Sequence, residues 1–357
     1  MFYRRAGVRH TSYVADRKLW PLAFDRRMLA VVMVVAITVP LWLGPLYLTA
    51  WALPMVIWAT AAMGLNLLMG GAGQIHLGYA AVMAIGAYAS VHLGRAGVPF
   101  ELAVLGGGLA AALIGSVFGA AALRVKGLYL AISTLAMQYI VDFGIAHVPA
   151  ISGGSQATLQ APSVTLLGLV PVDSDAGRYW VALAVCVVVA SFLLNVSRTG
   201  YGRALATIRD KDYAAEVIGV NSFRYKLSAF WTSSFIGGVA GAVLAFCYYR
   251  AITPEQFHLD VSIQLVAMVI VGGLGSVIGS MLGAAFIFAA PLLLNTGLVA
   301  LVRAGDLAIS QELIAHIPLA VYGALIIGFL LIEPLGLAKI YDNIRKYILV
   351  WPFRHLG

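Results

Sequence analysis

The sequence predicts an all-α fold: a polytopic transmembrane bundle of about ten crossings, two of them short, with two Gly-Gly-x-Gly helix breaks and both termini cytoplasmic. Three observations carry this. Apolar residues make up 61% of the 357-residue chain and charged residues only 11%, where a soluble globule carries roughly a quarter charged. Mean hydropathy is +0.92, so lipid must be the solvent for much of the surface. Apolar stretches of spanning length recur from residue 28 to residue 332, and basic residues collect between alternate pairs of them.

Taken in order, the apolar runs are Met28–Tyr47, Leu48–Met69, Leu77–Gly94, Phe100–Leu123 and Gly127–His147, then Tyr179–Asn195, Leu227–Tyr249, Val261–Gly272, Val277–Leu294 and Leu313–Ile332. The formal charge is +8. Of the 23 basic residues, all but Arg95, Arg178, Arg250 and Arg303 fall in the N-terminal segment, the Arg124/Lys126 turn, the 197–226 loop or the C-terminal segment. The positive-inside rule places those segments in the cytoplasm. Charge arranged in this way orients a protein in lipid and gives no support to a nucleic-acid face. Three divisions follow: a cytoplasmic N-terminal segment (1–27) without the apolar core of a cleaved signal peptide, a transmembrane domain (28–334), and a C-terminal segment (335–357). In the last, Ile340, Ile344, Ile348 and Trp351 alternate with Lys339, Arg345 and Lys346 at helical spacing, predicting a basic amphipathic helix on the cytoplasmic membrane surface or against a partner.

The breaks are Gly70-Gly71-Ala72-Gly73-Gln74 and Gly272-Gly273-Leu274-Gly275-Ser276. Their recurrence in the two halves suggests an internal duplication, although glycine also lets helices approach closely in lipid. Unwound backbone at membrane depth must be buried in protein or line a cavity. Asn66, Gln74 and His76, beside the first break, are therefore candidates for lining a pathway, or else for bonding the backbone groups the break frees. Thr134 and Gln138, on one side of the fifth run, join them on a weaker signal.

Catalytic and nucleotide-binding patterns are missing from the sequence. There is no GxxxxGK[ST] loop, HExxH, GxSxG or Cys/His cluster, and Cys186 and Cys247 each lie inside an apolar run. The expectation is a transport subunit, not an enzyme, with no metal or cofactor of its own. No carboxylate is central in its run: Glu101 and Asp142 sit near run ends. This lowers the case for a stand-alone ion-coupled carrier or channel without removing it.

The 197–226 loop predicts two short helical pieces, the second over Asp212–Ile218 and stopped by Gly219. Its small Ala214 and Ala215 beside Glu216 suit a groove on another protein.

These residues resemble the inner-membrane permeases of branched-chain amino acid ABC importers, of the LivM type within the LivH/LivM pair. Four blocks carry the resemblance: Gly64–Gln74 running into Leu77-Gly78-Tyr79-Ala80-Ala81 and Ile85–Tyr88; Lys126–Ala136; the loop through Arg203-Ala204-Leu205, Ile208-Arg209 and Ala214–Gly219; and Gly272–Ser276 with Gly279 and Gly283-Ala284. The resemblance implies an alternating-access importer in the bacterial inner membrane. Its partners would be a second permease of the LivH type, two cytoplasmic ATPase subunits carrying ATP and Mg2+, and a periplasmic solute-binding protein. Arg203, Arg209, Ala214, Ala215, Glu216 and Gly219 would form the coupling element that docks on an ATPase. Departures at Gln74-Ile75-His76-Leu77-Gly78-Tyr79 and Ser152–Gln156 leave the solute open among hydrophobic amino acids, urea, short amides and aromatic acids.

Overall fold

A computed structural model describes residues 23–125, 127–154, 157–166, 170–304 and 335–350, with a few positions between 323 and 333. The apolar run expected at Leu313–Ile332 lies almost wholly outside the described residues, as do most of the N-terminal segment and residues 351–357.

The described chain is a bundle of helices. α1 covers Ala23–Trp42 and α2 the helical run Pro45–Gly71, whose last turn, Leu67–Gly71, widens to π geometry. α3 (Tyr79–Arg95), α4 (Phe100–Ala122) and α5 (Leu128–His147) follow, then α6 (Asp175–Val196). Two short helices, α7 (Gly200–Asp210) and α8 (Asp212–Val217), precede α9 (Ser222–Tyr249), which also ends in a π turn. α10 (Leu259–Gly272), α11 (Val277–Ala304) and α12 (Leu337–Val350) complete the order. At the end of the bundle opposite α7 and α8, Leu159–Gln160 pairs antiparallel with Ala251–Ile252, and Thr165–Leu166 pairs with Val170–Pro171. Backbone polar groups that leave a helix there find partners in these short ladders.

Among the described residues, five helices (α2, α4, α5, α6 and α9) are long and apolar enough to cross a membrane. Boundaries differ from the sequence expectation in two informative places. α1 already includes Ala23 and Asp25, inside the expected leader, and Asp25 is buried. α11 runs on to Ala304 through Pro291 and takes in Arg303, which the charge pattern assigned to a loop. One proline removes one backbone bond, whereas ending a helix in an apolar setting strands several.

α9 is the hub. It packs against α2, α3 and α4 through a seam of small residues that brings backbones nearly into contact. A Cβ added at Gly86 would fall 2.3 Å from Gly238 Cα, and one at Gly107 would fall 2.5 Å from the Gly86 carbonyl. Dispersion across such close backbones, rather than hydrophobic exclusion, holds helices together where lipid is the solvent. The outward faces of α4 and α5 carry the exposed Leu102, Leu113, Val117, Ile132, Ile140 and Phe143, as a lipid-facing surface requires.

Because backbone cannot yield as a flexible side chain can, Gly86→Leu should break the seam. The expected result is loss of a monodisperse peak in detergent size exclusion, or destabilisation of about 3 kcal/mol or more; a wild-type melting curve would contradict this reading.

Candidate functional site

The two glycine breaks, about two hundred residues apart in sequence, meet in space. A Cβ on Gly70 would lie 2.0 Å from the backbone nitrogen of Gly275. One turn back along α2, the buried Asn66 carboxamide holds the second break: Nδ2 donates to the Ser276 carbonyl at 2.9 Å, to Ser280 Oγ at 2.6 Å and to the Gly273 carbonyl at 3.3 Å, while Oδ1 accepts from Gly275 N at 2.8 Å. Gly273 and Gly275 take φ of +113° and +82°, and Gly73 in the first break takes +68°, backbone conformations that suit glycine and strain side-chain-bearing residues. Gly71 ends α2, and Gly272 ends α10.

Beyond the first break the chain enters α3, whose first-turn N–H groups have no partners within the helix. Side chains from two other helices and the preceding segment supply them. Leu77 N donates to Thr134 Oγ1 (3.0 Å), Gly78 N to His76 Nδ1 (3.1 Å), Ala80 N to Ser262 Oγ (2.8 Å) and Ala81 N to Gln138 Oε1 (2.9 Å). Gln138 uses all of its hydrogen-bonding capacity, since Oε1 also accepts from Ser262 Oγ while Nε2 donates to Asp142 Oδ1 and the Phe257 carbonyl. With Nδ1 accepting, the His76 proton sits on Nε2, and the ring lies against Tyr79 and Phe230. Asn66, His76, Thr134 and Gln138 are all buried, committed to bonding the backbone that the breaks release. Gln74 is only half-buried: its Nε2 donates to the Ala72 carbonyl at 3.0 Å, and it borders a cavity of about 230 Å³ together with Gly73, Ile75, Arg209, Asp212 and Lys226.

The coupling candidates divide by face. α7 lays Leu205 and Ile208 inward, with Leu205 packed against Leu68, Ala72, Leu130 and Phe230, and leaves Arg203 exposed. In α8, Ala215 is buried against the protein itself, whereas Ala214 and Glu216 face outward with Tyr213, Val217 and Ile218, the last three 77%, 87% and 69% exposed. Gly219 ends the helix at φ +87°. Lys226 Nζ donates to Asp212 Oδ2 at 2.9 Å, pinning α8 to the start of α9. Arg209, at the end of α7, stays partly exposed and divides its guanidinium: Nη1 donates to the Gly70 carbonyl at 2.9 Å and Nε to Asp210 Oδ1 at 3.0 Å.

Sequence reasoning missed three participants. Ser262 and Ser280 sit in largely apolar runs, and a serine there can equally bond its own helix. The third is the pair between Asp25 and Arg345, at 2.9 Å for Nε–Oδ1, which fastens α12 to α1; that hydrogen bond holds the Arg345 guanidinium above its usual range. α12 in turn packs on the second break, where a Cβ on Gly273 would come 2.9 Å from Ala338 Cβ.

The sequence pattern of the family described as "Branched-chain amino acid transport system / permease component" matches residues 47–332, from α2 to beyond α11. The chain belongs to this permease family. It is thus a multi-pass membrane protein of a class of transport subunits within ABC transporters. Among curated relatives, the high-affinity branched-chain amino acid transport system permease protein LivM of Escherichia coli is 33% identical over 62% of this chain and 57% of its own length. The permease therefore spans little more than half the length of that relative. The L-arabinose transport system permease protein AraH of Escherichia coli is 31% identical over 36% of each chain. A solved structure, PsaBC from Streptococcus pneumoniae in complex with Fab, covers 88% of this chain with a TM-score of 0.40 at 11% identity, too loose a likeness to support an argument.

Asn66 both donates and accepts at the junction, so Asn66→Leu should destabilise the permease by about 2–4 kcal/mol through the buried Gly275 N–H and carbonyls it strands. Thermal unfolding in detergent measures this. A midpoint equal to wild type would show that the carboxamide does not hold the breaks together.

Proposed function

We propose that this permease is one half of the pore of an ATP-driven importer in the bacterial inner membrane, moving branched-chain or other hydrophobic amino acids by alternating access. One observation carries the reading: α8 stands outside the bundle between two spanning helices, with apolar Tyr213, Val217 and Ile218 exposed around Glu216, while Ala215, the Lys226–Asp212 pair and α7 tie it firmly back. An apolar patch held rigidly clear of the bundle is the mark of a surface that another protein covers. The basic residues of the 197–226 loop place it in the cytoplasm, where an ATPase would be met.

On this reading the coupling surface is Tyr213, Ala214, Glu216, Val217 and Ile218, with Ala215 and Gly219 shaping it and Arg203 at its margin. Closure of two ATPase subunits around ATP and Mg2+ would press on α8, and the tied helices would follow as rigid bodies. A second permease of the LivH type and a periplasmic solute-binding protein complete the assembly. Amino acids are the favoured solute class because the LivM relatives match over the longest stretch. The AraH relative is named for arabinose, and on this reading the solute-binding protein contributes to selecting the solute.

Reconstitution with the candidate ATPases, second permease and binding protein should give uptake that requires ATP. Uptake by the lone chain under an ion gradient would defeat the proposal. Within the complex, Val217→Asp should lower transport per ATP hydrolysed by about tenfold or more, since even a neutral polar group left unbonded in an apolar contact costs about 1–3 kcal/mol and an unpaired carboxylate costs more; coupling at the wild-type level would remove α8 from the interface. For orientation, a cysteine replacing Asp173 should react with an impermeant thiol reagent added outside and one replacing Tyr213 should not, with the reverse pattern overturning the topology.

A further inference from the structure

Resting on the proposed coupling surface, we infer that Arg209 is the positioning residue that transmits movement of α8 to both glycine breaks at once. Three features of its placement support this. It lies at the end of α7, with only Asp210 and Lys211 between it and α8, so the short helix cannot shift without moving its backbone. Its guanidinium bridges the loop and the first break, Nε donating to Asp210 Oδ1 at 3.0 Å and Nη1 to the Gly70 carbonyl at 2.9 Å, one of the carbonyls left over where α2 ends, and a cation is favoured at a helix C-terminus. It also touches the rest of the junction: a Cβ on Gly73 would lie 3.0 Å from Arg209 Cγ, and one on Gly275 would lie 3.2 Å from Arg209 Nη1.

One side chain therefore contacts Gly70, Gly73 and Gly275, while Asn66 keeps the two breaks from moving apart. The segment that leads into α3 has room to respond, because Gly73, Gln74 and Ile75 border the 230 Å³ cavity that Arg209 also lines. A load on α8 reaches the ends of α2 and α10 and the start of α11 through a single charge-assisted hydrogen bond. The flexible positive-φ glycines on each side serve as the hinge points. The Lys226–Asp212 pair, by contrast, couples α8 only to α9.

A purely structural cap would stabilise α2 without conveying nucleotide state, and the two roles separate in the assembled complex. Solute transport per ATP hydrolysed is compared for wild type, Arg209→Gln and Arg209→Lys, alongside thiol labelling of a cysteine at Gln74 with and without ATP and vanadate. For transmission, Arg209→Gln should lower the transport-to-hydrolysis ratio by about tenfold and abolish the nucleotide-dependent change in labelling, and Arg209→Lys, which keeps the charge, should restore about a third of the ratio. A wild-type ratio and labelling response in Arg209→Gln would overturn the inference. So would a loss of transport and hydrolysis in equal proportion with the labelling response retained. If Arg209→Gln does not assemble, Arg209→Lys carries the test, a full wild-type labelling response with an unchanged ratio counting against transmission. Failure of the underlying reading is distinguishable, because the wild-type complex itself would then show no nucleotide-dependent labelling.

Discussion

A buried carboxamide bonded to an unwound turn is what the arrangement of this permease depends on. Asn66 reaches from α2 to the backbone of Gly273, Gly275 and Ser276, and Gly70 and Gly275 touch without side chains between them. Two interrupted helices in an apolar surround each strand several backbone groups, at a cost no single helix could offset. Bringing the interruptions together lets each supply part of the other's hydrogen bonding. The junction is therefore a place where non-helical backbone is tolerated, and where the helix ends can rotate about glycines without exposing polar groups to lipid.

The same constraint explains the start of α3. Thr134, His76, Ser262 and Gln138 approach it from three directions and satisfy successive N–H groups. In water a first turn can be left to solvent, but here each donor needs a protein acceptor. Polar residues that read as pathway candidates thus bond the framework, and two of them, Asn66 and Gln74, also border cavities. Facing the other way, α8 carries its apolar residues outward because Ala215, not Tyr213 or Val217, is small enough to lie against the bundle. α12 reaches the second break from a further side, held by Asp25 and Arg345, so both sequence-remote ends of the described chain bear on one junction.

Much of this was legible without coordinates. Apolar run lengths located the five described helices of spanning length to within about five residues, because lipid thickness and helical rise leave little freedom. Gly219 as a helix stop and Asp212 as a helix start were read correctly from their own chemistry. Less legible were the helical Asp25 of α1 and the passage of α11 through Pro291, since a buried Asp25 and a tolerated proline follow from neighbours that no local pattern names.

By itself the sequence determined that the chain crosses lipid, where its two helices break, and that a helical, charged loop separates two spans, since these follow from composition, glycine and residue period. Only the tertiary structure decided that the two breaks are one junction, that Asn66 and Gln138 bond backbone groups remote in sequence, and that Arg209 bonds the Gly70 carbonyl while Val217 turns out. Contacts such as Asn66 with Gly275 and Arg209 with Gly70 span 209 and 139 residues. No periodicity encodes a hydrogen bond across that separation, because it exists only once the packing of α9 against α2, α3 and α4 has set the distance.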